Sequence, residues 1–525
     1  MDGLMMDRPL LVKQIAERAE SIFGQREVVA QTQAGIERST YAQVVERARR
    51  LASALSELGV QPGDRVASFA WNSLRHLELY LAVPSMGAIL HTLNVRLFED
   101  DLRYITTHAD DRLVFVDASL AEAMPNFEAT EREVLMPDGP GQRAGALDYE
   151  ELIAGGDPSF EFPDFHENTA AAMCYTSGTT GRPKGVLYSH RSIVLHTLGA
   201  GLPDSMGIRE ADSAMPVVPM FHAMAWGIPY VATMVGARLV LPGPDLSPGG
   251  LAELIAAEGV TWTAGVPTIW NGILELDPAP DLSSLRELKA GGSAVPEALI
   301  RGFAERFGVP LVQGWGMTET SPLAATSRLP GDVELSDDEA YALRASQGRV
   351  LPLIDFRIDT ERGGELEVRG PWIARAYYED PSGAEKFTDD GWLRTGDVAE
   401  VEPGGYIRLV DRTKDLVKSG GEWISSVELE NEVMAHPDVV EAAVIAVPDE
   451  RWGERPCACV VRRAGSELDA DGVRDHLASR VAKWWIPERI EFVDEIPKTS
   501  VGKFDKKVLR ASFAEAEAPV TAEPT

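Results

Sequence analysis

The sequence predicts an α/β protein with a large N-terminal domain of αβ-layered sheets, a β-rich subdomain inside it, and a small α+β C-terminal domain. Three observations carry that expectation. Helical patterns alternate with short apolar runs through the first half, as mostly parallel sheets require. From about Gly363 the texture changes to short strands and turns, and after Arg412 it returns to helix and strand. At 525 residues the chain is long enough for two or more domains with large cores.

Taken in order, Thr40 to Leu58 opens on a threonine cap and spaces its apolar residues helically. GVQPGDRVASFA then reads as a turn into a buried strand. A helical pattern from about Leu74 to Val83 leads to the apolar run AILHTLN, and DRLVFVD follows near position 112. Ser213 to Ala237 runs 25 residues without a charge, enough on paper to span a bilayer. Pro216, Pro219, His222, Gly227 and Pro229 break it, so a buried strand, loop and helix are expected instead. GGELEVRG and GWLRTGDVAEVEPGGYIRLVDR form the β-rich subdomain, about 345–411. The large domain is placed at 1–411 and the small one at 412–525, with the junction at Asp411 to Asp415 and a disordered tail after about 514. No fixed-period repeat is present.

The composition excludes several classes. Hydrophobic residues make up 44% and charged residues 25%, a globular rather than a disordered mix. The net charge of −32 is spread along the chain, which argues against a nucleic-acid partner. An anionic small ligand remains open, because backbone N–H groups and a few lysines bind it locally. Cys174, Cys457 and Cys459 form no CxxC pair and have no histidine cluster beside them, so neither a disulfide framework nor a zinc site is expected. The start, MDGLMMDRPLLVKQ, has acidic residues where a signal peptide is basic. A cytoplasmic protein without an integral membrane segment is the expectation, with a homodimer kept open.

The sharpest chemical signal is YTSGTTGRPKG, Tyr175 to Gly185, after the apolar run AAAMC. Small hydroxyl residues and glycines after a strand expose N–H and O–H donors to polyphosphate oxygens, and Lys184 adds a positive charge. A Walker A loop needs a second glycine five positions after the first, and there Pro183 follows Gly178. Further along stand Gly291-Gly292-Ser293-Ala294, Gly314 to Thr320 (GWGMTET), Thr395-Gly396-Asp397, Asp411 to Asp415 (DRTKD) and Pro497 to Lys503 (PKTSVGK).

Together these resemble the motifs of the adenylate-forming superfamily of acyl-CoA synthetases, peptide-synthetase adenylation domains and luciferases, in the family's order from about 170 to 510. The resemblance implies ATP, Mg²⁺ and coenzyme A, with a small-molecule carboxylic acid as the other substrate. It places Thr176, Ser177, Gly178, Thr179, Thr180 and Lys184 at the phosphates, Gly292, Ser293 and Gly316 along the adenine side, and Trp315 against the adenine where many members have tyrosine. Thr318 would contact phosphate, and Glu319 would hold Mg²⁺, for which a carboxylate is a suitable hard ligand. Asp397 would accept hydrogen bonds from the ribose, and Arg412 would bind the ribose or phosphate edge. Lys503 resembles the catalytic lysine that stabilises charge at the α-phosphate.

The same resemblance makes the small domain mobile, with Lys414 as hinge and Lys418, Gly420, Gly421, Glu422 and Trp423 facing a coenzyme A channel. His222 aligns with an aromatic position beside the acyl carboxylate. Trp226, Val266, Gly292, Gly316 and Pro322 join it around the acyl pocket. GGEWISS and AKWWIPERIEFVDEIPKTSVGKFDKK are most similar to bacterial medium- to long-chain fatty acyl-CoA synthetases, and also to ligases of 3-methylmercaptopropionate. The expected activity is therefore an AMP-forming acid–thiol ligase, with a fatty acid as first choice of substrate and the short sulfur acid as the alternative. A luciferase-like oxygenase and a carrier-protein acyl ligase rank below both.

Overall fold

The computed structural model describes residues 1, 3–128, 130–176, 182–331, 333–360, 364–419, 422–449, 451–499 and 504–516. The expected tail lies largely outside them.

Local chemistry starts the elements where the sequence places them. Thr40 caps helix Tyr41–Glu57 in a reciprocal capping box with Gln43. Ser73 accepts the His76 N–H to start helix Leu74–Ser85, which runs slightly past the expected Val83. That helix is buried at every position except Arg75. It touches strand Glu27–Thr32 of one sheet and strands Arg65–Phe69, Ile89–Thr92 and Ala170–Tyr175 of another. A helix packed on both sides must be apolar nearly all round.

Among the described residues the strands form four sheets. The nine-stranded one contains a parallel run in the spatial order Leu311–Gly316, Glu287–Gly291, Trp262–Gly265, Ser213–Pro216, Arg238–Leu241 and Glu27–Thr32. The seven-stranded one sets Arg65–Phe69 between Asp111–Asp117 and Ile89–Thr92, then adds Ala170–Tyr175, all parallel, and closes with antiparallel Gly185–Ser189. One apolar cluster joins both sheets through Tyr80, Phe115, Trp262 and Trp372.

The four-stranded antiparallel sheet runs Asp355–Asp359, Glu365–Arg369, Leu393–Glu402, Tyr406–Arg412. It starts at Asp355, inside the expected β-rich stretch of about 345–411; Gly363 lies outside the described residues. The five-stranded sheet is built on the hairpin Val439–Asp449 and Gly453–Arg462. The uncharged run 213–237 is the strand Ser213–Pro216, a loop and helix Ile228–Val235, as expected. Among the described residues no helix is long and apolar enough to cross a membrane.

Candidate active site

Four neighbouring parallel strands end on one side of the large sheet, at Pro216, Gly265, Gly291 and Gly316. The segments leaving those ends carry His222, Val266, Gly292 and Thr318. Ligands of open α/β sheets bind at the carboxyl ends of strands, so the topology brings together residues scattered over a hundred positions.

The second sheet supplies the hydroxyl-rich loop. Thr176 N–H donates to the Lys184 carbonyl at 2.9 Å, and Lys184 N–H donates to Thr176 Oγ1 at 3.1 Å, closing the loop at its base. Ser177, Gly178, Thr179 and Thr180 lie outside the described residues. The Lys184 ammonium sits 3.2 Å from Asp380 Oδ2 and 5.0 Å from the centre of the Tyr377 ring. Hydrogen bonds from Ser382, and then Lys184 itself, hold the Asp380 carboxyl below its ordinary range.

Glu319 is buried in the short turn Thr318–Thr320. Among the described residues its carboxylate takes one hydrogen bond, from the Tyr377 hydroxyl to Oε1 at 2.5 Å. Burial raises the Tyr377 phenol pKa, so it remains a donor. A single oriented carboxylate with an oxygen left over suits an ion that takes most of its ligands from water and phosphate. No cluster of three or more metal-ligating side chains occurs among the described residues. Lys184, Tyr377, Asp380 and Glu319 thus form one continuous polar surface, of which Tyr377 and Asp380 were not foreseen.

On the other side of that turn, Trp315 Nε1 donates to Asp397 Oδ2 at 3.1 Å, and Arg412 Nε lies 2.5 Å from Asp397 Oδ1. Asp397 and Arg412 face each other in register across two antiparallel strands. Trp315 and Asp397 are both buried, whereas Arg412 is partly exposed. Three separate motifs of the sequence therefore meet as one hydrogen-bonded unit.

His222 shares a small hollow with Thr92, Asn94, Leu97, Ile105, Tyr175, Thr176 and Phe221. Trp226 is not among its lining residues. Its ring lies instead over Gly291, where an added Cβ would come within 3.1 Å of the indole. Gly316 is equally constrained: a Cβ there would meet the Pro322 carbonyl oxygen at 1.8 Å. Val266 precedes helix Pro267–Leu274, and Ser293 is exposed.

The remaining candidates lie around the small sheet. Lys414 sits in the turn after strand Tyr406–Arg412, where Thr413 N–H donates to the Gly396 carbonyl. Lys418 and Trp423 pair across the strands Val417–Ser419 and Glu422–Ile424, with the Lys418 ammonium 5.4 Å from the exposed Trp423 ring. Gly420 and Gly421, between those strands, and the Lys503 expected to be catalytic all lie outside the described residues. Lys498 and Phe504, on either side of that last segment, pair antiparallel.

The chain is similar to known proteins over nearly its whole length. Residues 16–378 match the AMP-binding enzyme family and residues 428–503 the AMP-binding enzyme C-terminal domain. A medium-chain-fatty-acid–CoA ligase of Ectopseudomonas oleovorans is 43% identical, covering 98% of both chains. A long-chain-fatty-acid–CoA ligase of Thermus thermophilus is 45% identical over 97% of this chain and 96% of its own. A 3-methylmercaptopropionyl-CoA ligase of Ruegeria lacuscaerulensis is 43% identical, over 98% and 99%. Among solved structures, the anthranilate CoA ligase AuaEII in complex with anthranoyl-AMP superposes with a TM-score of 0.87 at 27% identity, covering 98% of this chain and 99% of that one.

Proposed function

This chain belongs to the AMP-binding enzyme family and is an AMP-forming acid–thiol ligase, and from that premise we propose that it activates a medium- to long-chain fatty acid and transfers it to coenzyme A. A carboxylate acylates poorly because its leaving group is oxide. An acyl-adenylate has a good leaving group, and dividing the reaction makes both halves tractable. First the acid carboxylate displaces pyrophosphate from the α-phosphorus of ATP. Then the coenzyme A thiolate displaces AMP.

In this reading Thr176, Ser177, Gly178, Thr179, Thr180 and Lys184 hold the phosphates, and Thr318 adds a donor. Glu319, oriented by Tyr377, takes the Mg²⁺ that neutralises polyphosphate charge when bound. Trp315 flanks the adenine beside Gly292 and Ser293. Asp397 turns its carboxylate from Arg412 to the ribose hydroxyls. His222 faces the acyl carboxylate, and Trp226, Val266, Gly316 and Pro322 border the chain. Lys503 brings an ammonium to the α-phosphate, stabilising charge that exists mainly in the transition state. Lys414 is the hinge about which the small domain exchanges Lys503 for the Lys418 to Trp423 segment. The enzyme works in the cytoplasm, consistent with three buried cysteines that form no disulfide.

The observation that supports the fatty-acid substrate is full-length likeness to two fatty-acid ligases, joined to an intact Lys184–Glu319–Asp397 framework. A second reading, a ligase for a short sulfur acid, is favoured by relatives of equal identity named for 3-methylmercaptopropionate. AMP release with MgATP and coenzyme A, measured over straight-chain acids from two to eighteen carbons plus 3-methylmercaptopropionate, separates the two. A maximum at eight carbons or more is expected. A maximum at 3-methylmercaptopropionate would replace the first reading by the second.

A further inference from the structure

Ala223, Met224, Ala225, Trp226 and Gly227 all have positive φ, at 41°, 53°, 49°, 56° and 77°. They form a single left-handed turn between His222 and helix Ile228–Val235. L-residues avoid this conformation because Cβ crowds the following carbonyl oxygen. Four consecutive non-glycine residues hold it only where their surroundings leave no alternative.

Those surroundings converge on one sulfur. Cys174 is buried one residue before Tyr175 and two before Thr176. Its Sγ lies 3.2 Å from Thr92 Oγ1 and interacts with the Tyr188 hydroxyl and with the backbone of Ala223 and Met224. That hydroxyl donates to the Thr318 carbonyl at 2.8 Å. Burial raises the thiol pKa, so the sulfur keeps its proton. One side chain thereby joins the strand that leads into the phosphate loop, the strained turn that carries Trp226, and the turn that carries Glu319. Cys457 and Cys459, by contrast, lie in an apolar cluster with Ile445, Ile496 and Leu509.

We propose that Cys174 is a positioning residue that fixes the left-handed turn 223–227, and through the placement of Trp226 over Gly291 sets the enzyme's discrimination between acyl chains. The proposal rests on the acid-ligase reading of the site. Truncating Cys174 to alanine removes the thiol and its contacts with the turn, which then relaxes toward an ordinary backbone conformation.

The test compares kcat/KM for octanoate and hexadecanoate in the full-length wild type, Cys174→Ala and Cys174→Ser. In Cys174→Ala the ratio of the two values is expected to change on the order of tenfold, with a raised KM for the preferred acid. Cys174→Ser keeps a donor and an acceptor on a shorter arm and is expected to restore most of the ratio, leaving a residual change of about threefold. A purely structural role would lower both acids equally; an unchanged ratio in Cys174→Ala would overturn the proposal. Should Cys174→Ala fail to fold, the ratio in Cys174→Ser decides, and an unchanged value there overturns it equally. If the wild type activates neither acid, the fatty-acid reading falls instead. The variants are then compared on 3-methylmercaptopropionate and acetate, with the same criterion.

Discussion

Glu319 and Asp397 are buried carboxylates, the first oriented by Tyr377 and the second by Trp315 and Arg412. Tyr377 holds Glu319 through a 2.5 Å hydrogen bond. Tyr377→Phe removes that donor without changing the ring, and the Mg²⁺ concentration for half-maximal activity is expected to rise on the order of tenfold, the size of a lost charge-assisted hydrogen bond. An unchanged Mg²⁺ dependence would separate Tyr377 from the metal. Asp397→Asn keeps the shape but loses the charge facing Arg412, so the KM for ATP in acid-dependent pyrophosphate exchange is expected to rise about tenfold. At this scale the sequence was informative where residue type and spacing recur together, as in Thr318-Glu319 and Thr395-Gly396-Asp397. Tyr377 and Asp380 escaped because YYED, out of context, is an ordinary polar turn. Long-range contacts bring it to the phosphate side, among them the hydrogen bond from Tyr378 N–H to the Gly185 carbonyl.

Helices and strands were legible wherever local chemistry determines them. Thr40 announces helix Tyr41–Glu57, and the prolines of 213–237 correctly exclude a membrane span. The left-handed turn 223–227 was not legible, since Ala-Met-Ala-Trp favours right-handed helix and only tertiary contacts impose the opposite hand. Helix His190–Ala200 carries a different consequence. Burial lowers the pKa of His190 to about 4 and of His196 to about 3. Both are depressed below the ordinary value, so the unfolded chain binds the extra protons. Their stabilisation is complete above pH 6.5 and is lost as the pH falls from there toward the folded values. Between pH 6.5 and 5, wild type is expected to lose about 2 kcal/mol more stability than His196→Gln. Parallel pH profiles in chemical denaturation would contradict this.

At the scale of the whole molecule, the alternation of helix and strand gave the α/β class, but not the order of strands. Glu27–Thr32 pairs with Arg238–Leu241 across some two hundred residues, and no local pattern announces such a partner. The expected start of the small domain, residue 412, coincides with the last residue of strand Tyr406–Arg412. There the two parts are tied by specific bonds: Ser426 N–H donates to Asp411 at 2.6 Å, and Arg510 pairs with Asp415 at 2.5 Å. Lys506, four positions before Arg510, is partly buried and pairs with Glu430 at 2.6 Å. Helix Lys506–Ala516 is thus anchored directly on the segment that follows strand Tyr406–Arg412 and on helix Ser426–Met434.

The central claim is that one chain performs two half-reactions that draw on different parts of its small domain. The most direct test measures both in Lys503→Ala: acid-dependent ATP–pyrophosphate exchange, and acyl-CoA formation from supplied acyl-adenylate. The account predicts that exchange falls on the order of 10²-fold or more, while thioester formation stays close to wild type. An equal loss in both half-reactions would contradict it.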